Sequence, residues 1–232
     1  MSDVLIVIPC FNEKNRLTDS ANRVDSFLRK NNLDYKIVIS NNCSTDGTEG
    51  MAKDLCKKLG FIYHEVNEPG KGACVRNTWI KFDSKVYAFM DADISTDLEV
   101  LPRMEREIDR GYDLVVGSRY LPDSKSKRII GRKLASLTYI KTFNSFFHTG
   151  LSDIQCGMKM INKNVRDNVA SKLNSNDFFF DSELIVKTLK AGYKVSEVPV
   201  NWEEKKGSTV NFLIDPFYFI NGIRKLYFEV NK

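Results

Sequence analysis

Val86-Tyr87-Ala88-Phe89-Met90-Asp91-Ala92-Asp93-Ile94-Ser95-Thr96-Asp97 is the stretch on which the rest of the chain is organised. An apolar run containing Val86, Tyr87 and Phe89 reads as a strand buried on both faces. It ends abruptly in two carboxylates, which cannot stay in a core unpaired because burying a bare charge costs several kcal/mol. They must project from the C-terminal edge of a sheet, where open α/β folds bind ligands. Like charges two residues apart repel unless a cation joins them, and a divalent metal on oxygen ligands answers that need. The same residues read equally as a capping turn, with Asp93 or Ser95 as N-cap of a helix from Glu99 to Arg110. On the triplet alone both readings stand.

The chain has 232 residues, enough for one large α/β domain or two small ones, with a net charge of +5 that suits anionic partners without pointing to nucleic acid. Cys10, Cys43, Cys56, Cys74 and Cys156 are scattered and contain no CxxC pair. That argues against a disulfide framework or a structural zinc site and fits a reducing compartment. Because a strand starts at Val4, no signal peptide is expected. No apolar run reaches the ~18 residues of a spanning helix.

Upstream of the acidic stretch, strand and helix alternate. Val4 to Pro9 reads as strand, with Asn12 capping a helix to about Arg29. Lys36 to Ser40 is a second strand, followed by the polar loop Asn41–Thr48 and a helix through Leu59. Phe61 to Val66 is a third strand, followed by Asn67-Glu68-Pro69-Gly70-Lys71-Gly72 and a helix from about Ala73 to Lys81. Asp113 to Gly117 is the strand after the acidic one, ending in Ser118-Arg119-Tyr120. This alternation predicts right-handed crossovers and a mostly parallel sheet covered on both faces. The five loops after the strands then gather on one edge, as a site for a polar ligand such as a nucleotide. Lys71 and Arg119 would meet its phosphates.

The second half differs. Between Ser124 and Ser152 there is no Asp or Glu, while Lys125, Lys127, Arg128, Arg132, Lys133 and Lys141 alternate with Leu134, Leu137, Tyr139, Ile140, Phe143, Phe146 and Phe147. Such a helix suits an anionic membrane interface, or else lays its apolar face on the core and its basic face in water. Asp181 is expected to cap a helix through about Lys190, closed by Gly192. Lys194 to Val200 is a further strand, and Trp202 to Thr209 a polar loop. Asp215-Pro216 opens a last helix to about Val230, apolar enough to pack on the domain, on a second copy or on lipid.

In order, PCFNE, STDGT, GKG, DAD, GSRY, DIQCGMK, FDSELIVKTLKAGYKVSEVPV and a late GST resemble glycosyltransferase family 2, and within it the dolichyl- and polyprenyl-phosphate mannose or glucose synthases. The resemblance implies an α/β GT-A fold, a Rossmann-like three-layer sandwich with a mostly parallel central sheet. It implies a catalytic domain over 1–210, with an amphipathic helix in 211–232 left for a membrane or a dimer. It also implies a nucleotide-sugar donor and Mg2+ or Mn2+. Pro9, Phe11, Asn12 and Glu13 match the loop that contacts the nucleoside. Asn41 and Asn42 stand where relatives usually carry an Asp for the base. Lys71 matches a lysine on the donor side, and Asp91-Ala92-Asp93 the metal and diphosphate motif. Ser95 stands where some relatives place a further glutamine ligand. Lys205, Lys206 and Ser208 fall on a late donor-binding segment, with Thr209 replacing its lysine. Arg119, Arg132, Lys133, Ser136 and Gln155 match the acceptor-phosphate region. Asp153 and Asp181 join Asp91, Asp93 and Arg119 as candidate catalytic residues.

The expected activity is inverting, metal-dependent transfer of a hexose from a donor of GDP-mannose or UDP-glucose type to a polyprenyl phosphate. The enzyme would be cytoplasmic and peripheral on the cytoplasmic face of a membrane, with a homodimer or a membrane-subunit partner as the candidate assemblies. A phosphate monoester has its second pKa near ~6, so it needs cations rather than a strong base. One alternative is transfer to a sugar hydroxyl, which needs a base such as Asp153, Asp181 or Glu183. The other is a nucleotide-sugar-binding partner of a membrane subunit without turnover.

Overall fold

The computed structural model describes residues 3–127, 129–203 and 215–231. Four βα units and a fifth strand lead: β1 (Val4–Cys10), α1 (Leu17–Lys30), β2 (Lys36–Asn42), α2 (Thr48–Leu59), β3 (Ile62–Val66), α3 (Lys71–Lys81), β4 (Val86–Met90), α4 (Leu101–Asp109) and β5 (Leu114–Ser118). There follow β6 (Lys125–Lys127), α5 (Ile130–Phe147), β7 (Met158–Asn162), α6 (Lys163–Asn168), α7 (Phe180–Lys190), β8 (Val195–Pro199), β9 (Asn201–Glu203) and α8 (Asp215–Val230).

Seven strands form the central sheet in the order β3-β2-β1-β4-β7-β5-β8, parallel except for β7. The chain winds outward from β1 through β2 to β3, then returns to place β4 on the other side of β1. Between β1 and β4 the loops leave in opposite directions, which opens a crevice at their C-terminal ends. Antiparallel β7 adds to it. Met90 lies opposite Met158 and Val116 opposite Lys159, so the segment entering β7, Asp153–Gly157, is delivered to the same edge.

The unbroken apolar run of β1 serves two cores, as period-2 side chains require. Val4, Ile6 and Ile8 pack with Leu17 and Val24 of α1, Ala52 and Leu55 of α2, and Leu101 and Met104 of α4. Leu5 and Val7 pack on the other face with Val75 and Trp79 of α3, Phe143 of α5 and Phe180 of α7. Trp79 lies edge-on to Tyr87 and donates its indole N–H to the Ala88 carbonyl at 3.2 Å. Helix α8 joins this second core through Ile223 and Leu226.

Three expected caps are replaced. Helix α1 starts at Leu17, not at Asn12. A turn in which Arg16 and Leu17 both donate to the Glu13 carbonyl comes first, and Asn12 takes a positive φ of 54° instead. Neither Asp93 nor Ser95 caps a helix: a 3-10 turn over Leu98–Val100 precedes α4. Asp181 lies in the first turn of α7, which begins after Phe179, and its side chain points into the protein. The segment read as a loop after Val200 begins as β9, which pairs in parallel with β6. No helix among the described residues is long and apolar enough to cross a membrane.

Candidate active site

The first two loops are stitched together by short polar side chains. Asn12 donates its N–H to Ser44 Oγ at 3.0 Å and accepts the Thr45 N–H at 2.8 Å. Asp46 accepts from the Thr48 N–H and hydroxyl and from the Lys14 N–H, while Thr48 Oγ1 takes the Glu13 N–H at 2.8 Å. Ser44, Thr45, Asp46 and Thr48 thus fix the shape of the first loop. Phe11 is left half exposed at its tip. Glu13 pairs with Arg16 at 2.6 Å. Burial, and then the charges of Asp93 and Asp91 against the pull of Arg16, push its carboxyl above the ordinary range. That coupling is the electrostatic trace of the β1 and β4 loops sharing one crevice.

At the end of β2 the two asparagines part company. Asn42 is buried and spends its amide on the following loop, donating to the Val66 and Glu68 carbonyls and accepting the Gly70 N–H at 2.8 Å. It shapes the turn that leads into Lys71. Asn41 donates to Glu65 at 3.0 Å, and its Oδ1 is buried with no hydrogen-bond partner among the described residues. Pro9 closes β1 next to it, in register with Ser40.

Beyond β4 the chain turns sharply. Ile94 adopts φ 47°, a left-handed conformation that a β-branched side chain takes only under constraint. The Ile94 N–H bonds back to the Asp91 carbonyl, and Asp93 Oδ1 accepts the Ser95 N–H at 2.9 Å. Asp91 donates its own N–H to the Gly157 carbonyl at 3.0 Å. A Cβ on Gly157 would lie 1.7 Å from Asp91 Oδ2, so glycine is what leaves room for this carboxylate. Asp91, Ile94, Ser95 and Gly157 line one small pocket. Ser95 Oγ is buried there without a hydrogen-bond partner among the described residues.

Lys71 reaches into the same edge from the start of α3. Its Nζ lies 2.8 Å from Asp91 Oδ1 and 3.3 Å from Asp181 Oδ2, and 4.7 Å from the centre of the Phe89 ring. Asp181 in turn holds Lys159 Nζ at 2.5 Å, with both side chains fully enclosed. The result is a row of alternating charge, Asp91–Lys71–Asp181–Lys159. Burial pulls the Lys71 ammonium down, but Asp181 and Asp91 outweigh it and raise its pKa above the ordinary lysine value. Lys159 has no role in the sequence reading, although it ends the quoted DIQCGMK segment. A lysine in a strand whose neighbours are Met158, Met160 and Ile161 was its one signal, because a buried ammonium requires a carboxylate.

Arg119, at the end of β5, forms a fork with Asp153: Nε to Oδ2 at 2.6 Å and Nη2 to Oδ1 at 2.8 Å. Burial pushes the Asp153 carboxyl up, but Arg119 outweighs it and holds it below the usual carboxylate range. The guanidinium lies between the Tyr120 and Trp202 rings, at 5.8 and 5.7 Å. Glu197 of β8 accepts the Ser152 and Asp153 N–H groups and so anchors this loop. Gln155 donates to Ser182 Oγ at 2.8 Å, which also meets the Tyr139 hydroxyl of α5 at 2.6 Å. Arg132 and Ser136 lie on α5 two turns and one turn before Tyr139, on that side of the helix, and are half-buried; Lys133 is exposed. Lys205, Lys206 and Ser208 lie outside the described residues.

Among the described residues no three Asp, Glu, His or Cys side chains form a metal cluster. Two carboxylates, Asp91 and Asp93, with the orphaned hydroxyl of Ser95 beside them, still make an all-oxygen donor set. It suits a hard divalent ion that keeps further positions for phosphate oxygens and water.

The chain is 26% identical over 220 residues to the glycosyltransferase AglD of Haloferax volcanii, covering 92% of this chain and 35% of that protein. It is 29% identical over 220 residues to the dolichyl-phosphate beta-glucosyltransferase ALG5D of Trichomonas vaginalis, covering 88% and 67%. The chain therefore spans only part of these relatives' length. Its fold matches glucosyl-3-phosphoglycerate synthase from Mycobacterium tuberculosis, solved with Mn2+, UDP-glucose and phosphoglyceric acid. The TM-score is 0.70 at 14% identity, over 97% of this chain and 80% of that one. The architecture is thus the GT-A fold, as the resemblance implied. With residues 5–169 matching its model, the chain belongs to glycosyl transferase family 2.

Proposed function

We propose that the chain catalyses inverting transfer of a hexose from a nucleoside-diphosphate sugar to a polyprenyl phosphate at a membrane surface. The observation that carries this reading is the state of the three carboxylates open to act as base. Asp153 is locked bidentate to Arg119, and Asp181 is shared by two lysines. Glu183 accepts the Asn174 and Ser175 N–H groups and pairs with Lys187 at 2.7 Å. Carboxylates whose oxygens are taken up by such partners have none free to accept a proton from an acceptor hydroxyl, and so make poor general bases. An acceptor that arrives ionised needs none of them.

The residues divide the work accordingly. Phe11 offers a ring to the nucleoside, and the Asn41 Oδ1 atom an acceptor for a base N–H. Lys71 would pair with the diphosphate as it leaves. Asp91 and Asp93, with Ser95 alongside, would hold a divalent cation, which when bound neutralises the charge of that leaving group. The acceptor phosphate oxygen attacks the anomeric carbon from the face opposite the diphosphate, with oxocarbenium-like charge at the sugar. Arg119 presents to it the guanidinium edge that Asp153 does not use, with Arg132, Lys133 and Ser136 supplied by α5.

The lipid acceptor is supported by two further features. One is the likeness to the Trichomonas relative, a dolichyl-phosphate beta-glucosyltransferase. The other is the outer side of α5 and α8. Ile130, Leu134 and Leu137 are exposed on α5 beside Lys133 and Lys141, as are Ile220 and Phe228 on α8 beside Arg224 and Lys225. Apolar side chains framed by cations fit an anionic bilayer surface.

The test is a direct assay with UDP-glucose and GDP-mannose, Mn2+ or Mg2+, and a short polyprenyl phosphate in detergent. The expected product is the β-linked glycosyl phosphate from an α-linked donor. Transfer confined to sugar hydroxyls would overturn the reading.

A further inference from the structure

We infer that Lys71 is a built-in occupant of the cation site: in the donor-free enzyme its ammonium stands on Asp91 in place of the metal, so the ion binds tightly only when a diphosphate draws the lysine away. The inference rests on the metal reading given above and adds a role that reading does not contain.

The geometry carries it. Lys71 makes its shorter contact, 2.8 Å, to Asp91, a residue proposed to hold the ion, and its longer one, 3.3 Å, to Asp181. Asp181 cannot neutralise Lys71 alone, because Lys159 takes its other oxygen at 2.5 Å. The lysine is therefore left with charge to satisfy, and Asp91 satisfies it. Nor can Lys71 drift into solvent. Its side chain is 13% exposed and lies against the Phe89 ring. Its backbone is wedged at Gly72, where a Cβ would meet the Ser175 carbonyl oxygen at 2.5 Å and Phe180 Cβ at 2.6 Å.

A divalent ion arriving alone must share Asp91 with a cation already in contact with it. Two cations on one carboxylate repel, so one must lose contact. A diphosphate reverses the balance. It gives Lys71 an anionic partner of its own, while Asp181 keeps the lysine within reach, and Asp91 becomes wholly available to the ion. Metal and nucleotide then favour each other's binding, and by linkage each raises the other's affinity by the same factor. Ordered loading follows from one lysine with two carboxylate partners, and no movement of the backbone is required.

The test measures Mn2+ binding directly, by electron paramagnetic resonance of the free ion, on the whole protein with and without UDP or GDP. Wild type is expected to bind Mn2+ weakly alone and roughly 5- to 150-fold more tightly with the right nucleotide, the ordinary range of such couplings. In Lys71→Met the nucleotide-free affinity should rise several-fold and the enhancement by nucleotide should shrink. Lys71→Arg keeps the charge and should keep weak nucleotide-free binding, which separates lost competition from general loosening of the site. Asp91→Asn should lose Mn2+ in both conditions. If Lys71→Met and wild type bind Mn2+ equally without nucleotide, while Asp91→Asn loses it, the inference fails and the metal reading survives. If wild type binds no Mn2+ with either nucleotide, the metal reading fails and takes the inference with it.

Discussion

Gly157 carries no chemistry of its own, yet it decides where the Asp91 carboxylate can be. Its carbonyl accepts the Asp91 N–H, and its missing side chain is the space that carboxylate fills. Gly157→Ala is therefore expected to fold, because the displaced atoms are a side-chain tip at a partly exposed edge, and to lose activity by about 10²-fold, the ordinary effect of a misplacement near 1 Å. Steady-state transfer rates beside a thermal unfolding curve would check this; unaltered turnover would contradict it. At the same scale, Asp91 and Asp93 were legible as candidates from position alone, since two carboxylates at the end of a buried strand must face a ligand edge. Lys159 was not. Its role depends on Asp181, 22 residues later, and only the pairing of β4 with β7 beside α7 brings the two together. The cap expected at Asp181 fails for the same reason: a helix-start aspartate normally caps, but here buried lysines claim its carboxylate.

At the scale of elements, α5 and α8 each resolve an ambiguity by doing two jobs. Phe143 and Ile140 of α5, and Ile223 and Leu226 of α8, are in the core, while other large apolar residues of both helices face outward. The two helices meet through rings, with Tyr139 against Phe219 at 4.9 Å and Phe146 against Tyr227 at 5.6 Å. Each basic side chain near an anionic bilayer contributes ~1 kcal/mol, so reversing Lys141 and Arg224 to Glu should weaken binding to phosphatidylserine vesicles by at least about 10-fold. Binding to neutral vesicles should change little. Co-sedimentation at two salt concentrations reads this out; undiminished binding to the charged vesicles would remove the electrostatic part of the surface. The short β6–β9 pair escaped the sequence reading because strands of three residues leave no period to count, and their partner lies over seventy residues away.

For the whole molecule, the enclosed ion pairs set the response to pH. Lys187 and the Asn174 and Ser175 N–H groups outweigh the effect of burial and hold Glu183 below the ordinary carboxylate range, as Arg119 does for Asp153. A depressed folded pKa means stability that is fully present above the unfolded value of ~4 and lost as pH falls through the folded one. Burial, with Lys81 adding to it, lowers the pKa of His64, so its contribution is likewise full above ~6.5 and fades on acidification. Urea midpoints should therefore hold between pH 7 and 8, decline gently below 6.5 and fall steeply below about 4. Glu183→Gln should have a lower midpoint at pH 7 and a shallower acid limb. A midpoint that rises on acidification would contradict these assignments.

The alternation of strand and helix as far as β5, the layered α/β class and the gathering of the strand-end loops on one edge were legible in the sequence, because apolar period, turn residues and strand-end charges are local signals. Which charges neutralise one another depends instead on contacts that the fold alone creates. Asp153 with Arg119, and Asp181 with Lys159 and Lys71, are pairs made by sheet order and by the antiparallel insertion of β7. A charge is assigned its work by what is buried next to it, and burial is a property of the folded whole.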